Sequence, residues 1–524
     1  MIRINNVKVS LGKTNYAKII SQTLNIREKQ LNNVTLVKQS VDARRNQVHF
    51  VCSFDFDVEN EDVFLKTHSQ LKRVTPYHYQ YYPASQEKVV VIGSGPAGLF
   101  CAYVLANSGQ DVTVVERGGP IEQRVQDVDK LLDEGILNVS SNIAFGEGGA
   151  GTFSDGKLTT GIKNDRLRYV LETFVEFGAP KDILYLAQPH IGTDYLRKVI
   201  VNMRKKMQEM GVKFLFNSQF IDFENKEKQF EIKVLNNQEE ILVADSLVLA
   251  IGHSARDTYE LLYQKGLHIE AKPFAVGVRL EQSQAKINQI QYKKSATSPF
   301  LKAANYKLAV TTSEKRGVYT FCMCPGGVVV PSMNEDGHLC VNGMSYYNRD
   351  GDNANSAILV NVTTDDFNDE HPLAGIEFQR LLEKKAFELG GNQCFAPVQK
   401  VEDYIHGTLT TTFGQIKPTY QPGYQMADLN QIFPDFINRN LKEGLILLNE
   451  KMPGFIDENS LLTGVETRSS APVRICRNAF YESSIQRIYP IGEGAGYAGG
   501  IMSAAVDGIM CAEMITRGKK DGSC

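Results

Sequence analysis

The chain has 524 residues, a hydrophobic share of 42% and a formal net charge of −3 at pH 7. At roughly 100–200 residues per domain, this length predicts about three domains with ample core. The small net charge does not indicate a polyanionic partner for the chain as a whole. We find no run approaching ~18 apolar residues and no apolar signal segment at the N-terminus. The nine scattered cysteines favour reduced thiols, so we expect a cytoplasmic protein without a membrane partner.

Residues 1–85 precede the first dinucleotide-type motif and are predicted to form a small α+β domain. Residues 15–26 have the spacing of a short amphipathic helix, and residues 47–58 alternate like a half-buried strand. The segment has 12 Lys and Arg against 7 Asp and Glu, a charge of +5. It lacks the interleaved basic and aromatic residues of a nucleic-acid platform, so nucleic-acid binding is not favoured. The tyrosine-rich residues 77–83 are predicted to dock onto the next domain.

Residues 88–98 read as a buried strand that runs into a glycine-rich turn and a helix. Gly93 permits the tight turn, Gly95 allows a pyrophosphate to approach the backbone, and Gly98 allows close packing of helix on strand. Glu116 closes the next apolar run, where an acceptor for the adenosine ribose is needed. The pattern indicates a dinucleotide site but does not separate FAD from NAD. The other expected contacts in this region are Pro96, Ala97 and Arg117.

A second motif lies near the C-terminus, where residues 488–508 read as a strand end, an acidic glycine turn and a helix start rich in small residues. This stretch resembles the ribityl-binding segment of flavoproteins of the glutathione-reductase superfamily. The resemblance implies that Glu493 contacts the ribityl chain and that the following helix points its N-terminus at the flavin pyrimidine. The cofactor contacts expected here are Gly492, Glu493, Gly494, Gly499, Gly500 and Ile501.

Together with residues 144–158, 247–257, 320–327 and 464–473, these motifs resemble the uncharacterised FAD-dependent dehydrogenase family. Flavoproteins such as fumarate reductase are more distant relatives. The resemblance covers most of the chain and implies noncovalent FAD and a Rossmann-like α/β fold with a parallel sheet and a three-stranded meander. It implies no particular substrate.

The glycine-rich loop 146–151 follows a helix predicted from Pro120 to Asp133, and we expect this loop to face the flavin. Lys157 is either a cation that stabilises anionic reduced flavin or an ordinary surface lysine. The expected cofactor contacts of this region are Arg124, Gly149, Gly151, Thr152, Phe153, Ser154, Asp155 and Lys157.

Helical spacing predicts helices at 165–177 and 196–210. Residues 212–216, 230–235 and 241–244 are predicted to form the three-stranded meander, and residues 246–251 return to the parallel sheet. Gly252 would end that strand at the ligand-binding edge. His253 then either contacts the FAD phosphates, donates a proton or caps the next turn.

The predicted organisation is a domain at 1–85, an FAD-binding domain at 86–272 and 481–524, and an inserted α+β substrate domain at 273–480. No second dinucleotide fingerprint occurs in the inserted segment. NAD(P)H is therefore expected at most as a transient reductant.

Cys322 and Cys324 are the strongest candidates for redox chemistry in the inserted segment. A thiol beside a flavin can add to the flavin ring or exchange electrons with it through a disulfide. The alternative is structural burial, since a disulfide between such close neighbours is strained. No second Cys/His pair follows at zinc spacing, so no metal site is predicted. Residues 342–346, Arg349 and residues 468–472 are further pocket candidates that could bind an anionic substrate through an arginine fork.

These observations predict an FAD-dependent oxidoreductase that transfers hydride to or from a small organic substrate. Lys157, Cys322 and Cys324 are the candidates for catalysis. Two alternatives stay open: a flavin-dependent RNA-modifying enzyme, and a non-catalytic redox-sensing flavoprotein with a protein partner.

Overall fold

The N-terminal region forms an antiparallel four-stranded sheet in the order β2-β3-β1-β4, with two helices. The structure is a computed structural model that describes residues 1–45, 47–83, 87–367 and 370–517. The predicted helix and strand are both present, and Phe54 and Phe56 of the strand lie in the core. The elements are β1 (Ile2–Ser10), α1 (Tyr16–Leu24), β2 (Asn32–Asp42), β3 (His49–Asp57), α2 (Glu61–Thr67) and β4 (Leu71–Arg73).

A parallel five-stranded sheet in the order β23-β11-β5-β6-β7 forms the centre of the next region. Its strands are short and almost continuously apolar, as expected for a sheet covered on both faces. The elements are β5 (Lys88–Ile92), α3 (Pro96–Asn107), β6 (Asp111–Val115), α4 (Ile121–Glu134), α5 (Arg166–Glu176), α6 (Thr193–Glu209), β7 (Lys213–Leu215), β8 (Gln219–Lys226), β9 (Gln229–Asn236), β10 (Gln238–Ala244), β11 (Ser246–Leu249), α7 (Arg256–Gln264) and β12 (Ile269–Ala271).

The three-stranded meander is present, but the prediction of its first strand was wrong. Lys213–Leu215 directly follows helix α6 and pairs in parallel with β6, which completes a strand–helix–strand crossover. The first meander strand is β8 instead, in the order β10-β9-β8. A bulge between Phe220 and Asp222 breaks the alternation of β8, so its apolar residues did not have the period of two that identifies a strand.

A seven-stranded, mainly antiparallel sheet in the order β14-β15-β18-β13-β21-β19-β20 dominates the following region. Short antiparallel pairs β16–β17 and β12–β22 lie beside it. The chain then returns to the parallel sheet. The elements are β13 (Phe274–Ser283), α8 (Gln284–Tyr292), β14 (Ala309–Thr311), β15 (Gly317–Cys324), β16 (Val328–Pro331), β17 (Val341–Met344), β18 (Asn353–Val362), α9 (Ala374–Leu389), β19 (Ala396–Lys400), α10 (Val401–His406), β20 (Tyr424–Met426), α11 (Asp435–Lys451), β21 (Leu461–Glu466), β22 (Val473–Ile475), β23 (Ile488–Pro490) and α12 (Ile501–Arg517).

The tyrosine-rich segment docks as predicted. The ring of Tyr79 stacks on Tyr169 with centroids 4.2 Å apart, and its hydroxyl donates to Glu513 at 3.1 Å. The backbone N–H of Gln39 in β2 also donates to the carbonyl of Tyr185 at 2.7 Å. The sheet and the segment that follows it therefore each contact the parallel-sheet region.

Helices α3 and α12 pack closely side by side, and the N-termini of both point toward the same edge of the parallel sheet. A Cβ at Gly508 would lie 2.1 Å from the carbonyl oxygen of Ala97, so only glycine permits this approach. Across the described ranges, no helix combines the length and apolar character needed to cross a membrane.

Candidate functional site

A cleft runs between the carboxyl edge of the parallel sheet and the seven-stranded region. Its empty volume is about 1580 Å³, a figure that includes the open mouth. Most of the predicted cofactor contacts line it, although they come from distant parts of the chain. They are Gly93, Gly95, Pro96, Ala97, Glu116, Arg117, Gly149, Gly151, Ser154, Asp155, Lys157, Gly252, His253, Gly492, Glu493, Gly499, Gly500 and Ile501.

The fingerprint turn has the geometry that its glycines predicted. Gly93 has φ +99°, and a Cβ there would lie 2.3 Å from the carbonyl oxygen of Ala250. Gly98 does not line the cleft but packs against the turn, since its Cβ would meet the carbonyl oxygen of Gly93 at 2.0 Å. Gly95 is the N-cap of α3 and offers no side chain to the first amides of the helix. These amides are therefore available to a phosphate.

Arg124, predicted as a cofactor contact, does not line the cleft. It is fully buried, and its guanidinium donates to five backbone carbonyls in and just before the glycine-rich loop, those of Asn142, Ile143, Gly146, Glu147 and Gly149. Arg124 thus fixes the shape of the loop from behind.

Thr152, Phe153 and Gly494 also lie outside the cleft lining. The Thr152 hydroxyl donates to the carbonyl of Glu147, and the ring of Phe153 lies under Arg124 with 4.8 Å between guanidinium and centroid. A Cβ at Gly494 would lie 2.5 Å from the carbonyl oxygen of Gly252. All three support the backbone that forms the cleft.

Glu116 lies at one end of the cleft and is almost fully buried. Its carboxylate accepts from the amides of Ser94, Gly118 and Gly146 at 2.9, 3.1 and 3.1 Å, and from the Ser94 hydroxyl at 2.8 Å. Beside it, the Arg117 guanidinium lies 4.4 Å from the centroid of the Phe145 ring. This end of the cleft therefore contains the oriented carboxylate of Glu116 beside the planar guanidinium of Arg117 and the ring of Phe145.

Lys157 lies at the other end of the cleft, where its ammonium forms an ion pair with Asp155 at 2.9 Å. Burial opposes its charge, but Asp155 and the nearby cysteines outweigh that effect and raise the pKa of Lys157. Asp155 also accepts both arms of the Arg349 guanidinium, at 2.9 and 2.5 Å. Although burial alone would raise it, the pKa of Asp155 is lowered by these two cations. Lys157 is therefore not an ordinary surface lysine.

Cys322 faces this end of the cleft from β15, whereas Cys324 is buried just behind it. Arg279 lies beside both: its Nη2 atom donates to the carbonyl of Cys322 at 2.6 Å and lies 3.4 Å from the Cys324 sulfur. Its Nη1 atom donates to Glu466 at 2.7 Å. Burial raises the pKa of Glu466 to about 7, although Arg279 opposes the shift. The cleft thus contains a carboxyl group able to change protonation near neutral pH.

The arginine forks suggested for an anionic substrate are not free. Arg349 is held by Asp155, and Arg468, which lines the cleft, directs its fork at the buried Glu383 with distances of 3.0 and 2.7 Å. Glu383 also accepts both arms of Arg256, at 2.9 and 2.7 Å. Asn342 and Ser469, from the same candidate segments, do line the cleft.

His253 lies in the cleft and does not cap the next helix, whose N-cap is Ala255. Its Nδ1 atom lies 3.0 Å from the Ser254 hydroxyl and its Nε2 atom 4.0 Å from Glu493. Burial lowers the pKa of His253 to about 4, and burial raises the pKa of Glu493 to about 7. The imidazole is therefore neutral at physiological pH.

Sequence reasoning missed Arg279, Phe321 and Glu466. Arg279 and Glu466 belong to the buried strands β13 and β21, and a charged residue in a buried strand is a signal that could have identified them. Phe321 gave no such signal. Its position at the cleft depends on the long-range pairing of β15 with β18.

Comparisons with known proteins agree with this geometry. Residues 88–124 match the FAD dependent oxidoreductase family, residues 273–469 match the FAD-dependent protein, C-terminal domain-like family, and residues 1–57 match a domain of unknown function. The chain is a flavoprotein of the oxidoreductase type, and its cofactor is FAD.

The chain is 44% identical over 525 residues to an uncharacterized protein of Clostridium beijerinckii, with 98% of each chain covered. It belongs to the same FAD-dependent protein family as that relative. Among solved structures, similarity is found to CtdE in complex with FAD, with 10% identity over 83% of this chain and 87% of that chain and a TM-score of 0.31. The tetracycline destructase Tet(51) is 11% identical over 83% of each chain, with a TM-score of 0.35.

The residues of the cleft fit FAD. The uncapped N-terminus of α3 suits a pyrophosphate. At Gly499 and Gly500 an added Cβ would meet no atom within 4 Å, so the backbone of this turn borders open cleft space. Glu116 and Lys157 also line one and the same cleft.

Proposed function

We propose that the protein transfers a hydride between noncovalently bound FAD and a small organic substrate held beside the flavin ring. One observation carries the proposal: the cleft that begins at the dinucleotide fingerprint continues without interruption to Phe321, Cys322, Asn342, Glu466 and Arg468 of the seven-stranded region. A cofactor lying along it would have its ring next to side chains that could hold a substrate. Kinship with the glutathione-reductase superfamily is part of this proposal.

In the proposed orientation, the adenosine lies at the Glu116 end and the flavin ring at the Lys157 end. The four hydrogen bonds that Glu116 accepts fix the carboxylate for a ribose diol, which would share it with the Ser94 hydroxyl. Glu493 lines the cleft and would contact the ribityl chain, and the start of α12 would face the flavin pyrimidine.

FAD, when bound, supplies the site that accepts or gives a hydride, and the protein orients, shields and tunes it. Lys157 places a positive charge beside the ring, which favours a negatively charged reduced cofactor. Glu466 can take or give a proton near neutral pH because its pKa lies at about 7. Phe321 shields the cleft mouth from water, although its own side chain stays partly exposed.

The cleft favours a substrate without a carboxylate or phosphate group. The guanidinium groups of Arg279, which lies beside Cys322, and of Arg468, which lines the cleft, are already paired with Glu466 and Glu383. An anion would have to break one of these buried pairs, at a cost of about 3–5 kcal/mol. We therefore propose a neutral organic molecule, with NAD(P)H as a transient reductant that binds and leaves.

The test is an anaerobic spectrum of the FAD-loaded protein, recorded before and after addition of NADH and then NADPH. Bleaching of the flavin band by either nucleotide supports the reductase direction and directs the search to oxidised acceptors. Absence of bleaching by both removes NAD(P)H from the proposal and directs the search to substrates that donate hydride. If the protein retains FAD but no donor or acceptor gives turnover, hydride-transfer catalysis is refuted in favour of a redox-sensing role.

A further inference from the structure

Cys322 and Cys324 lie at the C-terminal end of β15, where the strand is irregular. The register with β18 shifts between Phe321 and Cys324, and Cys322 has φ +42°, a conformation that residues other than glycine rarely adopt. Such strain is retained where the surrounding structure enforces it, often at functional sites. The Cys324 sulfur lies 3.3 Å from the carbonyl oxygen of Cys322, so the two residues are in direct contact.

The charges around the pair favour one thiolate and one thiol. Lys157 and Arg279 face it from two different elements, and the carboxyl groups of Asp155, Glu466 and Glu493 lie nearby. A hydrogen bond from Cys324, together with the charges of Lys157 and Arg279, lowers the pKa of Cys322 well below its ordinary value. The same contact, with burial, raises the pKa of Cys324. Negative charge is therefore held on the sulfur that faces the cleft.

We propose that Cys322 and Cys324 form a redox-active dithiol/disulfide couple that exchanges two electrons with FAD in the shared cleft. In the oxidative direction, the Cys322 thiolate and the Cys324 thiol form an S–S bond. Two electrons and the Cys324 proton pass to FAD, which is reduced by one hydride equivalent with no change in total charge. The proposal depends on the FAD cofactor but not on the organic substrate or nicotinamide proposed above.

The short spacing of the two cysteines sets the character of the couple. A disulfide across one intervening residue is strained, and strained disulfides are readily reduced. The dithiol is thus the resting form under reducing conditions, and the disulfide is a transient oxidised form. Cys340 is different: it is fully buried, does not line the cleft, and burial raises the pKa of its thiol.

The first test is an anaerobic dithionite titration of the oxidised, FAD-loaded protein. If the couple exists, the wild type consumes about twice the reducing equivalents of Cys322→Ser and Cys324→Ser, because each variant retains only the flavin as a two-electron acceptor. Cys340→Ser keeps the wild-type value. Equal FAD content and thermal stability among the variants shows that the comparison is valid. A wild type that consumes only the equivalents of its FAD overturns the proposal.

The second test measures thiol reactivity and does not depend on turnover. The reduced FAD-loaded protein is treated with iodoacetamide at pH 6, and modified peptides are quantified by mass spectrometry. Cys322 should react at least about tenfold faster than Cys476, which is also partly exposed but has a raised pKa. Reaction of Cys322 no faster than Cys476 overturns the thiolate assignment. If neither NADH nor NADPH reduces the flavin, the proposal that NAD(P)H is the reductant is refuted. The titration and the alkylation results for the cysteine pair are not affected by that outcome.

Discussion

The buried carboxylate of Glu383 connects two arginines, Arg256 at the start of α7 and Arg468 after β21, and its removal should destabilise the fold strongly. Glu383 is fully buried and accepts four hydrogen bonds from Arg256 and Arg468 at 2.7–3.0 Å, with a fifth from the Thr467 hydroxyl at 2.5 Å. In Glu383→Gln, two buried guanidinium groups face a neutral amide whose NH₂ group cannot accept from them. Loss of one member of a buried ion pair costs about 3–5 kcal/mol.

Glu335→Gln is the matched control, because Glu335 also pairs with Arg256 but its side chain is 24% exposed. We expect this variant to lose about 1 kcal/mol or less. Urea denaturation monitored by circular dichroism gives both free energies of unfolding, and a thermal scan should show a Tm decrease of about 6–20 °C for Glu383→Gln. Equal losses in the two variants, or a loss below about 1 kcal/mol in Glu383→Gln, would refute the reasoning.

The pH dependence of this network follows from the lowered pKa of Glu383. Burial opposes ionisation, but Arg256 and Arg468 outweigh it and hold the pKa below its ordinary value. Because the folded pKa is depressed, the stabilisation is present above the unfolded value of about 4.3 and is lost as pH falls. Wild type should therefore lose more stability below about pH 4 than Glu383→Gln does.

Three further predictions concern the cofactor cleft. In Gly93→Ala, the new residue would need φ near +99°, and its Cβ would lie 2.3 Å from a carbonyl oxygen, so the turn has to change shape. The amount of bound FAD, measured by absorbance, should therefore fall at least about tenfold. Gly211→Ala, with φ +94° but open surroundings, should keep its FAD, and equal loss in both would contradict the contact argument. Arg124→Met leaves five backbone carbonyls without their donor and should lower the free energy of unfolding, measured by urea denaturation, by about 3–5 kcal/mol. An unchanged urea midpoint would show that the loop keeps its conformation without Arg124. The raised pKa of Glu493, about 7, means that FAD-free protein loses up to about 3 kcal/mol between pH 5 and pH 8, since the unfolded state ionises first. Glu493→Gln should remove the share of the loss that comes from Glu493 and leave the share of Glu466, whose pKa is also raised to about 7. A pH profile identical to that of the wild type would contradict the shift.

The cofactor half of the site was predictable because its signals are local. Gly93, Gly95 and Gly98 belong to one turn, and Glu116 follows at the end of the next strand, so spacing along the chain was enough to predict where they lie. The same locality explains the errors. Arg124 lies close in sequence to residues that line the cleft, but its helix presents it to the back of the loop.

The substrate half was less predictable because it depends on strand pairing over long distances. Arg279 and Glu466 meet only because β13 and β21 are neighbours in the seven-stranded sheet. Arg349 and Arg468 were identified as arginines near the site, but their carboxylate partners, Asp155 and Glu383, come from distant segments. Sequence spacing contains no information about such pairs, and it therefore could not show that both forks are occupied.

The most direct measurement is a crystal structure of the protein with FAD. The account predicts one noncovalent FAD per chain, with its adenosine beside Glu116, its pyrophosphate at the start of α3, and its flavin ring beside Lys157 and Cys322. A flavin ring at the Glu116 end, a covalent attachment, or FAD bound outside the cleft would contradict it.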